Sequence, residues 1–166
     1  MHVLLWDAES RSWGALIEPL SSTGKRILSL DAIELCFTSF RPSFEGSFAP
    51  ETVGFAREAL ALLRQRIQED SLGVPEGEFF DNLYALQERD HSPGTASIVM
   101  AISEYADSMS RSLSASDVLA IMSACYEAVL NSERIPRVTA EAERGNENCV
   151  RLIAAQRTLI DSAANA

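Results

Sequence analysis

The run VLAIMSACYEAVL, residues 118–130, constrains the fold more than any other part of the chain. It carries one charge, Glu127, and its apolar side chains Val118, Leu119, Ile121, Met122, Cys125, Tyr126, Val129 and Leu130 fall almost all round a helix. A helix that is apolar on every side is stable in water only where other elements surround it. No apolar run here approaches the roughly 20 residues needed to cross a bilayer, so this segment predicts the middle helix of a bundle. Ser114 with Asp117 three residues on has the form of a capping box and sets its start near residue 116; Ile135-Pro136 stops it.

The segments around it carry the matching pattern of one apolar face each. In Pro50–Gln68, Ala56, Ala59, Leu60, Leu63 and Ile67 share a face, Pro50 suits the first helical position, and Gly73 and Pro75 end the run. Residues 76–89 predict a helix with Phe79, Leu83 and Leu86 as its buried stripe, flanked by Phe80 and Tyr84, with Glu78, Asp81 and Glu88 opposite. Residues 95–110 repeat the arrangement, with Ile98, Ile102, Tyr105 and Met109 inward and Glu104 and Asp107 outward. A last helix within residues 139–163 buries Leu152, Ile153, Gln156, Leu159 and Ile160, and Gly145 interrupts its first turns.

The first 49 residues read less plainly. HVLLWD and WGALIEPL predict either a short β-hairpin or a helix through Trp6, Trp13, Leu16, Ile17 and Leu20. A helix begins near Asp31, with Asp31 and Glu34 as its cap pair, and RPSFEGSFAP is a loop whose Phe44 and Phe48 must pack somewhere. The expectation is an all-α fold: one domain spanning residues 1–166, a bundle of about six helices with the hairpin as an N-terminal alternative.

A formal net charge of −10 argues against nucleic acid and anionic membranes as partners, since both are polyanions that a protein must neutralise with Lys and Arg. The charge is concentrated. Residues 51–110 hold eleven acids and four bases, and between Glu69 and Asp107 nine acids face only Arg89. Two consecutive amphipathic helices put Glu78, Asp81, Glu88, Glu104 and Asp107 on outward faces, and the loops add Glu69, Asp70, Glu76 and Asp90. These nine are the candidate partner-binding residues, a field that steers a basic protein partner.

Catalytic material is thin. With only His2 and His91, a zinc site or a Ser/His/acid triad has little to build on. Glu88 and His91 spell one E-x-x-H, whereas a di-iron bundle needs two and further carboxylates. Glu104-x-x-Asp107 is similar to the magnesium-binding helix of all-α nucleotide pyrophosphatases, but their second helix with E-E-x-x-E is missing. Cys36, Cys125 and Cys149 are odd in number and lack C-x-x-C spacing, which predicts reduced thiols in a cytoplasmic protein; Cys149 lies near Arg144 and Arg151 in sequence without a histidine base. Phosphate-binding glycine motifs are absent from the sequence. The reading is of no catalytic residue, no metal and no cofactor.

IMSACYEAVLNSERIP, residues 121–136, followed by TAEAERGNENCVRLIAAQRTLI, residues 139–160, resembles the C-terminal part of helical immunity proteins from bacterial polymorphic-toxin systems. The shared features are Cys125-Tyr126 in a buried helix, an acidic Thr-initiated stretch with Glu141 and Glu143, Asn146 to Cys149, and Gln156 in a terminal helix. The resemblance implies a non-enzymatic inhibitor that binds and neutralises a cognate toxin domain, a basic nuclease in one version, inside the producing cell. It carries over no toxin-contact residue. Two alternatives stand beside it: a small all-α Mg-dependent nucleotide hydrolase using Glu104 and Asp107, and a helical scaffold or self-association module anchored by exposed Trp6, Trp13, Phe44 and Phe48. Oligomeric state stays open.

Overall fold

The computed structural model describes residues 3–69 and 73–166, and all secondary structure among the described residues is helical. The order is α1 (Leu5–Glu9), α2 (Trp13–Ile17), α3 (Ser22–Phe37), α4 (Phe44–Ser47), α5 (Pro50–Gln68), α6 (Phe79–Arg89), α7 (Thr95–Asp107), α8 (Ala115–Ser132), α9 (Ala140–Arg144) and α10 (Glu147–Ala164). A 3-10 turn, Ser108–Ser110, extends α7. There are thus ten helices among the described residues rather than about six, because α1, α2, α4 and α9 are short pieces that close the ends of the long ones.

α8 is the axis. It packs against α7, α3, α10 and α2, and Val118, Ile121, Met122, Cys125, Tyr126 and Val129 are all buried. The capping box forms: Ser114 Oγ accepts from the Asp117 N–H (3.1 Å), and Asp117 Oδ2 accepts from the Ser114 N–H (2.9 Å). α5 begins at Pro50 and ends at Gln68, and Gly145 separates α9 from α10. Outside this inner group, α5 packs on α3 and α7, and α6 lies on α7 and α5. α6, which carries Asp81 and Glu88, therefore lies toward the outside of the bundle.

The N-terminal hairpin is overturned. Residues 5–9 and 13–17 are short helices whose Trp6 and Trp13 rings meet edge to face, centroids 5.7 Å apart. Helices this short have almost no stability of their own, and distant groups hold them. The Trp6 Nε1–H donates to Gln156 Oε1 (2.8 Å), whose Nε2 donates to the Met122 carbonyl (3.0 Å), while the Leu5 N–H donates to Glu143.

The start of α3 also differs from expectation. Ser21, not Asp31, caps it, its Oγ accepting from the Gly24 N–H (2.9 Å). Asp31 and Glu34 lie inside the helix and bind Arg64 of α5 at 2.9 and 3.2 Å. The expected 41–50 loop contains α4, and its two phenylalanines pack inward: Phe44 stacks on Phe37 (4.6 Å) and Phe48 meets Phe40 edge-on (4.7 Å). Trp6, Trp13, Phe44 and Phe48 are all buried, so none is an exposed anchor for self-association.

Candidate functional site

α6 and α7 are joined by the short 90–94 connection and pack on each other as a helical hairpin. Gly94 makes the close return possible. It has φ +102°, and a Cβ there would lie 2.6 Å from the Ala128 carbonyl oxygen of α8. Asp90, expected as a loop member of the partner-binding set, secures the same corner. It is 7% exposed and accepts from the Ala49 N–H (2.9 Å), Thr52 Oγ1 (2.6 Å) and the Ser92 N–H (3.0 Å). Burial pushes its carboxyl up, but the hydrogen bonds from Ser92, Thr52 and Ala49 outweigh that and hold it at about 2. Asp90 thus ties the hairpin to the start of α5 and is not available as a partner-binding residue, because its loop folds over the first turn of that helix.

The other sequence-predicted carboxylates sort as follows. Glu69, Glu76, Glu78, Asp81, Glu88 and Asp107 are exposed, Glu104 is half-buried, and Asp70 lies outside the described residues. Glu76, Glu78, Asp81, Glu88, Glu104 and Asp107 make no ion pair among the described residues; elsewhere Asp31 and Glu34 pair with Arg64, Asp117 with Arg111 and Glu133 with Arg41, while Glu9, Glu18, Glu58 and Glu141 are unpaired as well. Arg89, the one base of the acidic segment, reaches across to Glu51 of α5 (2.6 Å) and so leaves the α6 acids uncompensated. Arg111 lies near Glu104 and Asp107 and softens the field at that end.

Aromatic side chains run through this face. Phe55 of α5 contacts Phe79 (5.6 Å), Phe79 contacts Phe80 (5.4 Å), and Phe80 stacks with Tyr84 (6.2 Å, 27° between planes). Tyr84, expected beside the buried stripe, is 45% exposed, and Met100 on α7 is 53% exposed. For Met100 the signal was present but subtle: Ala96, Met100, Glu104 and Asp107 form a helical row off the Ile98–Ile102–Tyr105 face.

Of the residues behind the family resemblance, Cys125, Tyr126, Glu143, Asn148, Cys149 and Gln156 are buried, whereas Glu141 and Glu147 are exposed. Glu143 is 0% exposed and accepts from Tyr126 Oη (2.6 Å) and from the Leu5 N–H (3.2 Å). Burial and the adjacent Glu143 push the Tyr126 hydroxyl well above its ordinary range. Beside it, Glu133 pairs with Arg41 and accepts from Asn146 Nδ2 (3.0 Å) and Asn148 Nδ2 (3.2 Å). Cys149 is buried, and that burial pushes its thiol up to about 11, away from the thiolate a nucleophile needs. The sequence neighbours Arg144 and Arg151 do not reverse this. Cys36 and Cys125 are free and buried as well.

Among the described residues, no group of three or more His, Cys, Asp or Glu side chains is placed to hold a metal ion; Glu104 and Asp107 do not gather with Glu76, Glu78 and Asp81 in that way. Two surface grooves of about 650 and 510 Å³ are walled mainly by aliphatic side chains and arginines, the first between α3 and α5 and the second beside Trp13 and Ile153. At the far end of α7, Arg26 is 3% exposed and donates to the carbonyls of Ser108 (3.2 Å) and Arg111 (2.5 Å), closing that helix end. Comparison with protein-family models, with curated proteins and with solved structures finds no match.

Proposed function

We propose that this chain is a non-enzymatic, immunity-type inhibitor that binds a basic toxin domain through the outer surface of the α6–α7 hairpin. The observation that supports the reading is the set of carboxylates on that hairpin that make no ion pair, clearest on α6. Glu78, Asp81, Glu88, Glu104 and Asp107 have no ion-pair partner among the described residues, while the segment's one arginine is engaged with Glu51. Exposed charges without internal partners contribute little to stability. A toxin domain that cuts nucleic acid carries basic side chains around its cleft, and such a cleft is the electrostatic complement of this surface. The buried Tyr126–Glu143 contact and the partly exposed Glu133–Arg41 pair then have the role of fixing the scaffold.

Capture of a partner at low salt tests the reading, with the bait lysate containing the product of the adjacent reading frame. The expected result is a stoichiometric basic protein that is toxic when expressed alone and harmless with this chain. A partner that binds equally well to a Glu78→Gln/Asp81→Asn/Glu88→Gln variant would move the interface elsewhere.

A further inference from the structure

Tyr84 and Met100 are exposed large apolar side chains on the same hairpin as the unpaired acids, and that combination narrows the partner. On α6, Asn82, Leu86 and Arg89 line a cavity of about 320 Å³ shared with Glu51, Phe55 and Glu58, so that side of the helix faces α5. By helical periodicity Phe80 and Tyr84 lie on the opposite side of α6, and the exposed row of α7 includes Met100. Tyr84 stands five residues before the end of α6 and Met100 five residues after the start of α7. Both are therefore about 7.5 Å along the hairpin from the 90–94 connection. Asp81 and Glu88 lie three residues before and four residues after Tyr84, which puts both carboxylates on the exposed face that its ring shares.

Resting on the reading above, we infer that the partner inserts an arginine from an otherwise apolar segment here, its guanidinium over the Phe80–Tyr84 stack between Asp81 and Glu88 and its neighbours on Met100. A guanidinium is planar and weakly hydrated. It lies flat on an aromatic face while its N–H groups reach carboxylates at the rim, a combination that a compact lysine ammonium cannot reproduce. An apolar anchor within a polar ring is also the arrangement in which interface side chains matter most.

The test uses the full chain, labelled with ¹⁵N, and two amphipathic peptides of equal charge. One alternates leucine with arginine, the other leucine with lysine. The arginine peptide is expected to perturb amides within residues 80–88 and 96–104 and to bind several-fold more tightly than the lysine peptide. Tyr84→Ala should weaken it about tenfold, and Tyr84→Phe, which keeps the aromatic face, should retain it; the side chain is exposed, and unchanged circular dichroism will verify the fold of both variants. Equal affinity for the two peptides together with an inert Tyr84→Ala overturns the arginine seat and leaves the acidic interface standing. Binding unaffected by Asp81→Asn/Glu88→Gln at low salt overturns the seat and the acidic-interface reading together.

Discussion

Replacing Asp90 with Asn separates a structural carboxylate from the exposed carboxylates proposed for recognition. Asp90 joins the α6–α7 connection to the first turn of α5 through Ala49, Thr52 and Ser92. Its carboxyl is held at about 2 against an ordinary 3.8. At about 1.4 kcal/mol for each tenfold in proton affinity, that difference is worth about 2.5 kcal/mol of stability at neutral pH. The folded state binds this proton more weakly than the unfolded chain. The stabilisation is therefore complete above about pH 4 and disappears as pH falls from about 4 to 2. Urea unfolding at pH 7 should place Asp90→Asn about 2 kcal/mol below the wild type, a loss of about 4–8 °C in Tm for a chain of this size. At pH 2.5 the gap should have shrunk to about 0.8 kcal/mol, about a third of its value at neutral pH. Asp117, also held at about 2 chiefly by its bond from Arg111, titrates in the same window, but it is common to both proteins and cancels from the difference. A variant within 0.5 kcal/mol of the wild type at pH 7, or a gap that does not narrow in acid, refutes the reasoning.

Neutralising Glu78, Asp81 and Glu88 together should leave urea stability within about 0.5 kcal/mol of the wild type, in contrast to the single change at Asp90; a loss above about 1.5 kcal/mol would show that these side chains hold the fold. Tyr126→Phe removes the hydroxyl that faces the buried Glu143 carboxylate, and equilibrium unfolding should show a cost of about 1–3 kcal/mol. Phe44→Ala empties the centre of the Phe37–Phe40–Phe48 cluster and should cost about 3–5 kcal/mol by the same measurement. In native protein at pH 8 a disulfide reagent should titrate almost no thiol, because Cys36, Cys125 and Cys149 are buried and burial holds Cys149 up at about 11; all three should react in denaturant.

The parts of the fold legible in the sequence are those whose cause is local. Pro50 and the 3.6-residue spacing of Ala56, Leu60 and Leu63 define α5 without reference to anything else, and Ser114 with Asp117 defines the start of α8. α1 and α2 have no such cause. The groups that hold them, Glu143 and Gln156, stand 138 and 150 residues away from Leu5 and Trp6, so alternation in HVLLWD had nothing nearby to contradict it. Asp31 and Glu34 looked like a cap because their carboxylates suit one, but their partner is Arg64 from another helix. Within the candidate surface, the uncompensated acids were legible from composition. The inward turn of Asp90 depended on where α5 begins relative to the 90–94 connection, and the exposure of Tyr84 on how α6 lies across α5 and α7; neither relation is local.

The most direct test of the central claim is the association rate of the captured toxin domain with this chain, measured by stopped flow from low to high salt, beside the Glu78→Gln/Asp81→Asn/Glu88→Gln variant. The account predicts a wild-type rate that falls steeply as salt rises and a variant rate that is slow and nearly independent of salt. Equal rates for the two proteins across the salt series would contradict it and return the acidic hairpin to an ordinary solvated surface.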